Sequence, residues 1–152
     1  MNYLICPECG SIYRADLIDT KQMEYYSMPC PRTDCCGNIF ECDELLIPAI
    51  LELNRKGYDT RFCCAGHAFG HGEGYISFYD YMYELTRNLP DPPEGWRWED
   101  EEVQRYGQST IGDRILRSTN DGKDMREKQI ILTENANSLM NWAYNLEPLN
   151  RE

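Results

Sequence analysis

Apolar positions recur at helical spacing in two stretches of the chain and fall into short runs elsewhere. Leu46, Ile50 and Leu53, with Ile47 and Leu51 beside them, mark the buried face of a helix over 43–56. Asp43 is its predicted cap and Gly57 its stop. Pro48 fits because it falls in the opening turns. Ala136, Leu139, Met140, Ala143 and Leu146 form the stripe of a second helix, predicted to start at Thr133 and to end before Pro148. Strands are predicted over 38–42, 58–63, 74–79 and 109–117, and Trp96 and Trp98 alternate about Arg97 at the start of another. The polar run after them makes 91–109 an expected acidic loop. The predicted fold class is α+β: a cysteine-rich ribbon over 1–42, then a βαββ-type core and a C-terminal helix within 43–152.

The cysteines change that picture most. Cys6-Pro7-Glu8-Cys9-Gly10 has knuckle spacing, which lets two sulfurs face one metal while turn N–H groups face the thiolates. Gly10 suits the positive φ on which such a turn ends. The second half is Cys30-Pro31-Arg32-Thr33-Asp34-Cys35-Cys36-Gly37. The expected ligands are Cys6, Cys9, Cys30 and Cys35, since four intervening residues keep Cys35 in the usual range. Cys36 stays an alternative, because it precedes Gly37 as Cys9 precedes Gly10. Residues 11–29 are expected to form the strands of a short ribbon hairpin. Tetrahedral sulfur ligation suits zinc, in a structural role with every position filled. C-x2-H and H-x3-H spacings also permit a second metal site from Cys63 or Cys64, His67 and His71.

Charge restricts the partners. The net charge is −11, and residues 91–102 hold six acidic side chains against Arg97 alone. Such a surface repels a phosphate backbone, so no nucleic-acid partner is expected; a basic protein surface is the complementary partner. No basic-plus-apolar leader and no long apolar run is present, so no membrane association is expected and the expected location is cytoplasmic. Eight cysteines in a reducing compartment read as metal ligands or free thiols.

The stretch Tyr58-Asp59-Thr60-Arg61-Phe62-Cys63-Cys64-Ala65-Gly66-His67 ends a predicted strand in a glycine turn. Exposed N–H groups at Ala65 and Gly66 are suited to an anion, and His67 to donating a hydrogen bond or accepting a proton. Tyr75, Tyr79, Tyr81 and Tyr83 follow closely and supply rings able to stack on a base. Residues 43–67 resemble the core of the wybutosine-synthesising tRNA methyltransferase family, in which a helix, a Tyr-x-Thr strand and a small Ser-Cys-Ser-Gly loop line the site. Tyr58, Thr60, Cys64 and Gly66 match, Cys63 and Ala65 replace the serines, and His67 stands in place of an arginine. The loop is also similar to that of bacterial and phage zinc-ribbon proteins with a Cys-Cys-x-Gly-His sequence. The resemblance implies a ligand-holding core in which Tyr58, Thr60, Cys64, Gly66 and His67 contact the ligand. The expected function is a zinc-containing, non-catalytic protein binding a small anionic or nucleotide-like ligand. The alternatives are an acidic inhibitor or adaptor, phage-encoded, and an S-adenosylmethionine-dependent methyltransferase.

Overall fold

The computed structural model describes residues 2–23, 27–105 and 108–149; for residues 2, 22, 100–105 and 108–113 it describes the backbone alone. The fold is mixed α+β with two four-stranded antiparallel sheets and a C-terminal helix. The first sheet holds β1 (Asn2–Ile5), β2 (Ile12–Arg14), β3 (Ser27–Pro29) and β4 (Asn38–Asp43) in the order β2-β1-β4-β3. The expected hairpin over 11–29 is therefore corrected. Strands β2 and β3 lie at opposite edges, each pairing with a central strand instead of with the other. Strand β1, which no sequence pattern announced, is the reason: it pairs β2 on one side and β4 on the other.

Alternation along the two central strands separates two cores. Leu4 and Ile39 join Cys6 and Cys30 in a small buried cluster. Ile5 and Cys42 face the other way, into the main core. That core is built from α1 (Ile47–Arg55), α3 (Met125–Asn145) and the second sheet. The second sheet orders β5 (Thr60–Cys64), β6 (Tyr75–Phe78), β8 (Gln108–Ser118) and β7 (Trp96–Arg105) as β5-β6-β8-β7. Its Ile76, Phe78 and Leu116 pack against Leu46, Ile50 and Leu53 of the first helical segment and Leu139 of α3. The first strand of the expected βαββ unit thus belongs to the other sheet. A short helix, α2 (Met82–Thr86), follows β6.

Three local expectations change. The chain enters α1 through a 3-10 turn at Glu44–Leu46, and Asp43 makes no side-chain cap. Its Oδ2 instead accepts the Ala65 N–H at 2.6 Å. Helix α3 starts eight residues before Thr133, at Met125. Asp124 Oδ1 accepts the Glu127 N–H at 2.8 Å and Glu127 Oε2 accepts the Lys123 N–H at 2.7 Å, a reciprocal cap that outweighs the apolar stripe as a start signal. Thr133 lies inside the helix, its hydroxyl donating to the Gln129 carbonyl at 3.1 Å. Beyond Gly95 the expected acidic loop is a strand: β7 pairs β8 from Trp96↔Ser118 to Arg105↔Gln108, with a register shift between Asp100 and Glu102. Backbone pairing, not side-chain alternation, makes that strand, and a run of carboxylates does not reveal it. Among the described residues no helix is long and apolar enough to cross a membrane.

Candidate functional site

Two tight turns bring four thiols together. The first follows β1: Gly10 N–H donates to the Cys6 carbonyl at 2.8 Å and Cys6 N–H to the Ser11 carbonyl at 2.9 Å, with Gly10 at φ +76°. The second precedes β4 and closes through Cys30 N–H to the Gly37 carbonyl at 2.9 Å and Cys35 N–H to the Arg32 carbonyl at 3.1 Å. Because β1 and β4 are paired neighbours, their ends hold the turns face to face. The Sγ atoms of Cys6, Cys9, Cys30 and Cys35 all lie within 4.8 Å of one another, an arrangement that can hold a metal ion. Cys6 and Cys35 are 3.7 Å apart, Cys9 and Cys30 3.8 Å. Tetrahedral zinc with metal–sulfur bonds of about 2.3 Å requires sulfur–sulfur edges of about 3.8 Å. Cys36 is exposed and outside the group.

N–H and hydroxyl groups surround the sulfurs. N–H groups of Glu8 and Cys9 point at Cys6 Sγ, and the Gly37 N–H reaches Cys35 Sγ at 3.3 Å. Ser11 Oγ lies 3.1 Å from Cys9 Sγ, and the Tyr13 hydroxyl 3.6 Å from Cys30 Sγ. The Ser11 hydroxyl and N–H hold the Cys9 thiol down at about 6. Burial pushes Cys6 up despite its N–H partners. At Cys35 the Gly37 N–H lowers the value, but burial and the three neighbouring thiols together push it up to about 12. Four like charges in one pocket oppose each other's ionisation, and a divalent cation removes that opposition. Gly37 permits the close approach: a Cβ there would stand 2.6 Å from Glu8 Cβ and 3.0 Å from Cys6 Sγ. Sequence reasoning missed Ser11 and Tyr13 as partners of the sulfurs, because a lone hydroxyl carries no spacing signal.

Of the five nominated ligand residues, Cys64 contacts Gly66 and His67, whereas Tyr58 and Thr60 bond to other partners. Tyr58 is buried, its hydroxyl donating to the Glu147 carbonyl at 2.6 Å. Thr60 is clamped by Asn54, whose Nδ2 donates to Thr60 Oγ1 at 2.9 Å while Oδ1 accepts the Thr60 N–H at 3.3 Å. Cys64 Sγ lies 3.7 Å from His67 Nε2, and burial raises the Cys64 thiol. The two N–H groups expected to hold an anion have protein acceptors: Ala65 N–H donates to Asp43, and Gly66 N–H to Cys64 Sγ at 3.4 Å. Gly66, at φ +97°, is needed for loop packing, since a Cβ would stand 2.6 Å from the Gly72 carbonyl oxygen. His67 is exposed and stacks on Phe69, centroids 5.0 Å apart. Among the described residues no second metal-ligating group forms, so Cys63 or Cys64, His67 and His71 do not assemble one.

Two depressions flank these residues. One, of about 330 Å³, has Gly66, His67, Phe69, Met125 and the acidic pair Asp43 and Glu44 on its walls. The other, of about 310 Å³, lies where the cysteine turns meet the second sheet. Glu8 and Gly37 come from the turns, Thr60 and Arg61 from β5, and Tyr79 and Tyr81 follow β6. Tyr79 and Tyr81 stack with centroids 5.5 Å apart and planes at 12°, and the Tyr81 hydroxyl donates to Asp59 Oδ2 at 2.7 Å. The Arg61 guanidinium sits 5.8 Å from the Tyr79 ring centroid. Comparisons with protein-family models, curated proteins and solved structures found no match for this chain.

Proposed function

We propose that this protein is a non-catalytic binding module, braced by one structural zinc ion in a ribbon-type site, that takes a small anionic or nucleotide-like ligand. Cys6, Cys9, Cys30 and Cys35 ligate the zinc, and the second groove receives the ligand. The supporting observation is that groove's composition: its walls combine the metal-bearing turns with an Arg61–Tyr79–Tyr81 platform. A planar ring stacks on exposed tyrosine, and the guanidinium meets an anionic substituent. Four sulfur ligands leave no position for water or substrate, which fits a structural metal. Of the residues nominated from sequence, Thr60 borders this groove, while Gly66 and His67 border the other.

A thermal-shift screen of nucleotides and simple carboxylates tests the assignment. A ligand raises the wild-type midpoint by mass action. Arg61→Ala and Tyr79→Ala each weaken it by about tenfold, the loss of one stacking or charge-assisted contact. His67→Ala leaves binding unchanged. The opposite pattern, with His67→Ala losing the ligand and Arg61→Ala keeping it, would move the site to the 65–69 loop.

A second reading, an acidic adaptor, is supported by the position of β7 at the edge of its sheet. Glu99 on that strand pairs with Arg97 at 3.5 Å and Arg117 at 3.2 Å. Acidic residues on an edge discourage self-pairing and attract a basic surface. With a basic protein partner, Glu99→Lys combined with Glu102→Lys slows association about tenfold at low salt. An unchanged rate removes this reading. Methyl transfer retains only the matched Tyr58, Thr60, Cys64 and Gly66 as support.

A further inference from the structure

Half of the cysteines lie outside the tetrathiolate, and two of them meet. Cys42, on β4 of the first sheet, has its Sγ 3.4 Å from the Sγ of Cys63, on β5 of the second. The strands are not hydrogen-bonded partners, so this contact spans the junction between the two sheets. Cys42 is 1% exposed, whereas Cys63 is half-buried and borders a depression of about 210 Å³ with Glu41, Phe62 and Tyr75 on its walls. One sulfur is thus reachable from solvent, and the other waits directly behind it. Cys36 and Cys64 differ: among the described residues neither has a thiol outside the tetrathiolate against its sulfur.

We propose that Cys42 and Cys63 form a modification site, a thiol pair that a hydroperoxide oxidises to a disulfide joining the two sheets. The Cys63 thiolate attacks the peroxide oxygen, the O–O bond breaks, and the leaving oxygen departs as water or alcohol after taking up a proton. Cys63 becomes a sulfenic acid. The Cys42 sulfur then attacks the Cys63 sulfur, the S–O bond breaks and water leaves. Two thiols lose two electrons and two protons in total, and the peroxide is reduced. The Sγ–Sγ contact of 3.4 Å closes to about 2.05 Å when the bond forms. The segment enclosed between residues 42 and 63 contains α1, so the bond fixes the helix and both sheets to one another. A disulfide of this kind in a reducing compartment is transient and reports oxidant.

The test uses the full zinc-loaded chain and hydrogen peroxide. Residual thiols are blocked after oxidation, and the protein is weighed intact and after trypsin, which cuts between the two cysteines at Arg55, Lys56 and Arg61. Before blocking, the expected intact mass under native conditions is lower by two hydrogens, restored by dithiothreitol, with the zinc retained. The expected cross-link joins the peptide holding Cys42 to the peptide holding Cys63. It persists in Cys64→Ser and Cys36→Ser and disappears in Cys63→Ala. In Cys42→Ala, Cys63 is trapped as sulfenic acid by a dimedone probe. The oxidised protein melts about 5–10 °C higher, as closure of a loop of this size entails. A cross-link that survives Cys63→Ala, or the absence of any cross-link, overturns the site. A cross-link without a rise in melting temperature overturns the bracing role.

Discussion

Cys6→Ser and Cys30→Ser proteins are expected to carry no zinc and to become protease-sensitive in the cysteine turns and the edge strands of the first sheet. Limited proteolysis should cut them there at protease levels that leave the wild type intact. The small cluster beneath the turns explains the size of the effect. It buries Leu4, Cys6, Cys30 and Ile39, so two of its four members belong to the four-thiol group itself. Apolar burial that slight does not offset the ordering entropy of the turns, the short edge strands and their connections. On the proposed zinc assignment, metal binding would supply the difference, making site formation and local folding one event. Damage should be graded, since β1 and β4 also send Ile5 and Cys42 into the main core. The edge strands β2 and β3 should go first. Elemental analysis should find one zinc per wild-type chain, none in Cys35→Ser and one in Cys36→Ser. Zinc-free wild type prepared without chelator, or full metal content in Cys6→Ser, would defeat the assignment.

Replacing Lys56 by Met should destabilise the main core by about 3 kcal/mol, the cost of removing one member of a buried charged network. Lys56 is only 6% exposed. Its Nζ donates to the carbonyls of Ala143 and Tyr144 at 2.8 and 2.7 Å and lies 3.4 Å from Glu52 Oε1. These carbonyls end α3, where the helix dipole presents negative charge; the Ala143 carbonyl also accepts the Leu146 N–H at 3.4 Å. Lys56 therefore ties the end of α1 to the end of α3. The Leu149 N–H to Lys56 carbonyl bond at 2.8 Å and the Tyr58 hydroxyl on Glu147 hold the same junction. Methionine keeps the stem volume but takes the ammonium donor from both carbonyls and leaves Glu52 to Arg55, whose guanidinium holds the carboxyl below its ordinary range. Urea unfolding monitored by tryptophan fluorescence measures the loss directly. A change within about 0.5 kcal/mol would show that water replaces the ammonium at no cost.

Neither α1 nor α3 needed the structure to be found, since Leu46 at the entry to one, with Ile50 and Leu53 inside it, and Ala136, Leu139 and Ala143 in the other repeat with the helical period. Their starts were less legible. Thr133 follows the rule for caps, but Asp124 with Glu127 satisfies two N–H groups at once and won. The acidic run after Trp98 looks like a loop because its side chains do not alternate; it is a strand because β8, the next strand in the chain, supplies antiparallel backbone partners.

What the sequence determined by itself is local: which residues cap, turn and repeat, and that two close cysteine pairs share the spacing of a metal knuckle. Spacing works for the metal because each pair is held by one tight turn, whose geometry depends on a few adjacent residues. The tertiary structure decided what depends on distant segments meeting. It set which of Cys35 and Cys36 faces the other thiols, and it gave the Ala65 N–H to Asp43. It also put Cys63 against Cys42 across two sheets and stood Arg61 and Tyr79 beside the turn that carries Glu8. Strand order made those choices, and strand order arises from the pairing of β1 with β4 and from a core shared by both sheets. Neither interaction leaves a mark on the spacing of neighbouring residues, because each is a contact between surfaces that the chain brings together only when it folds.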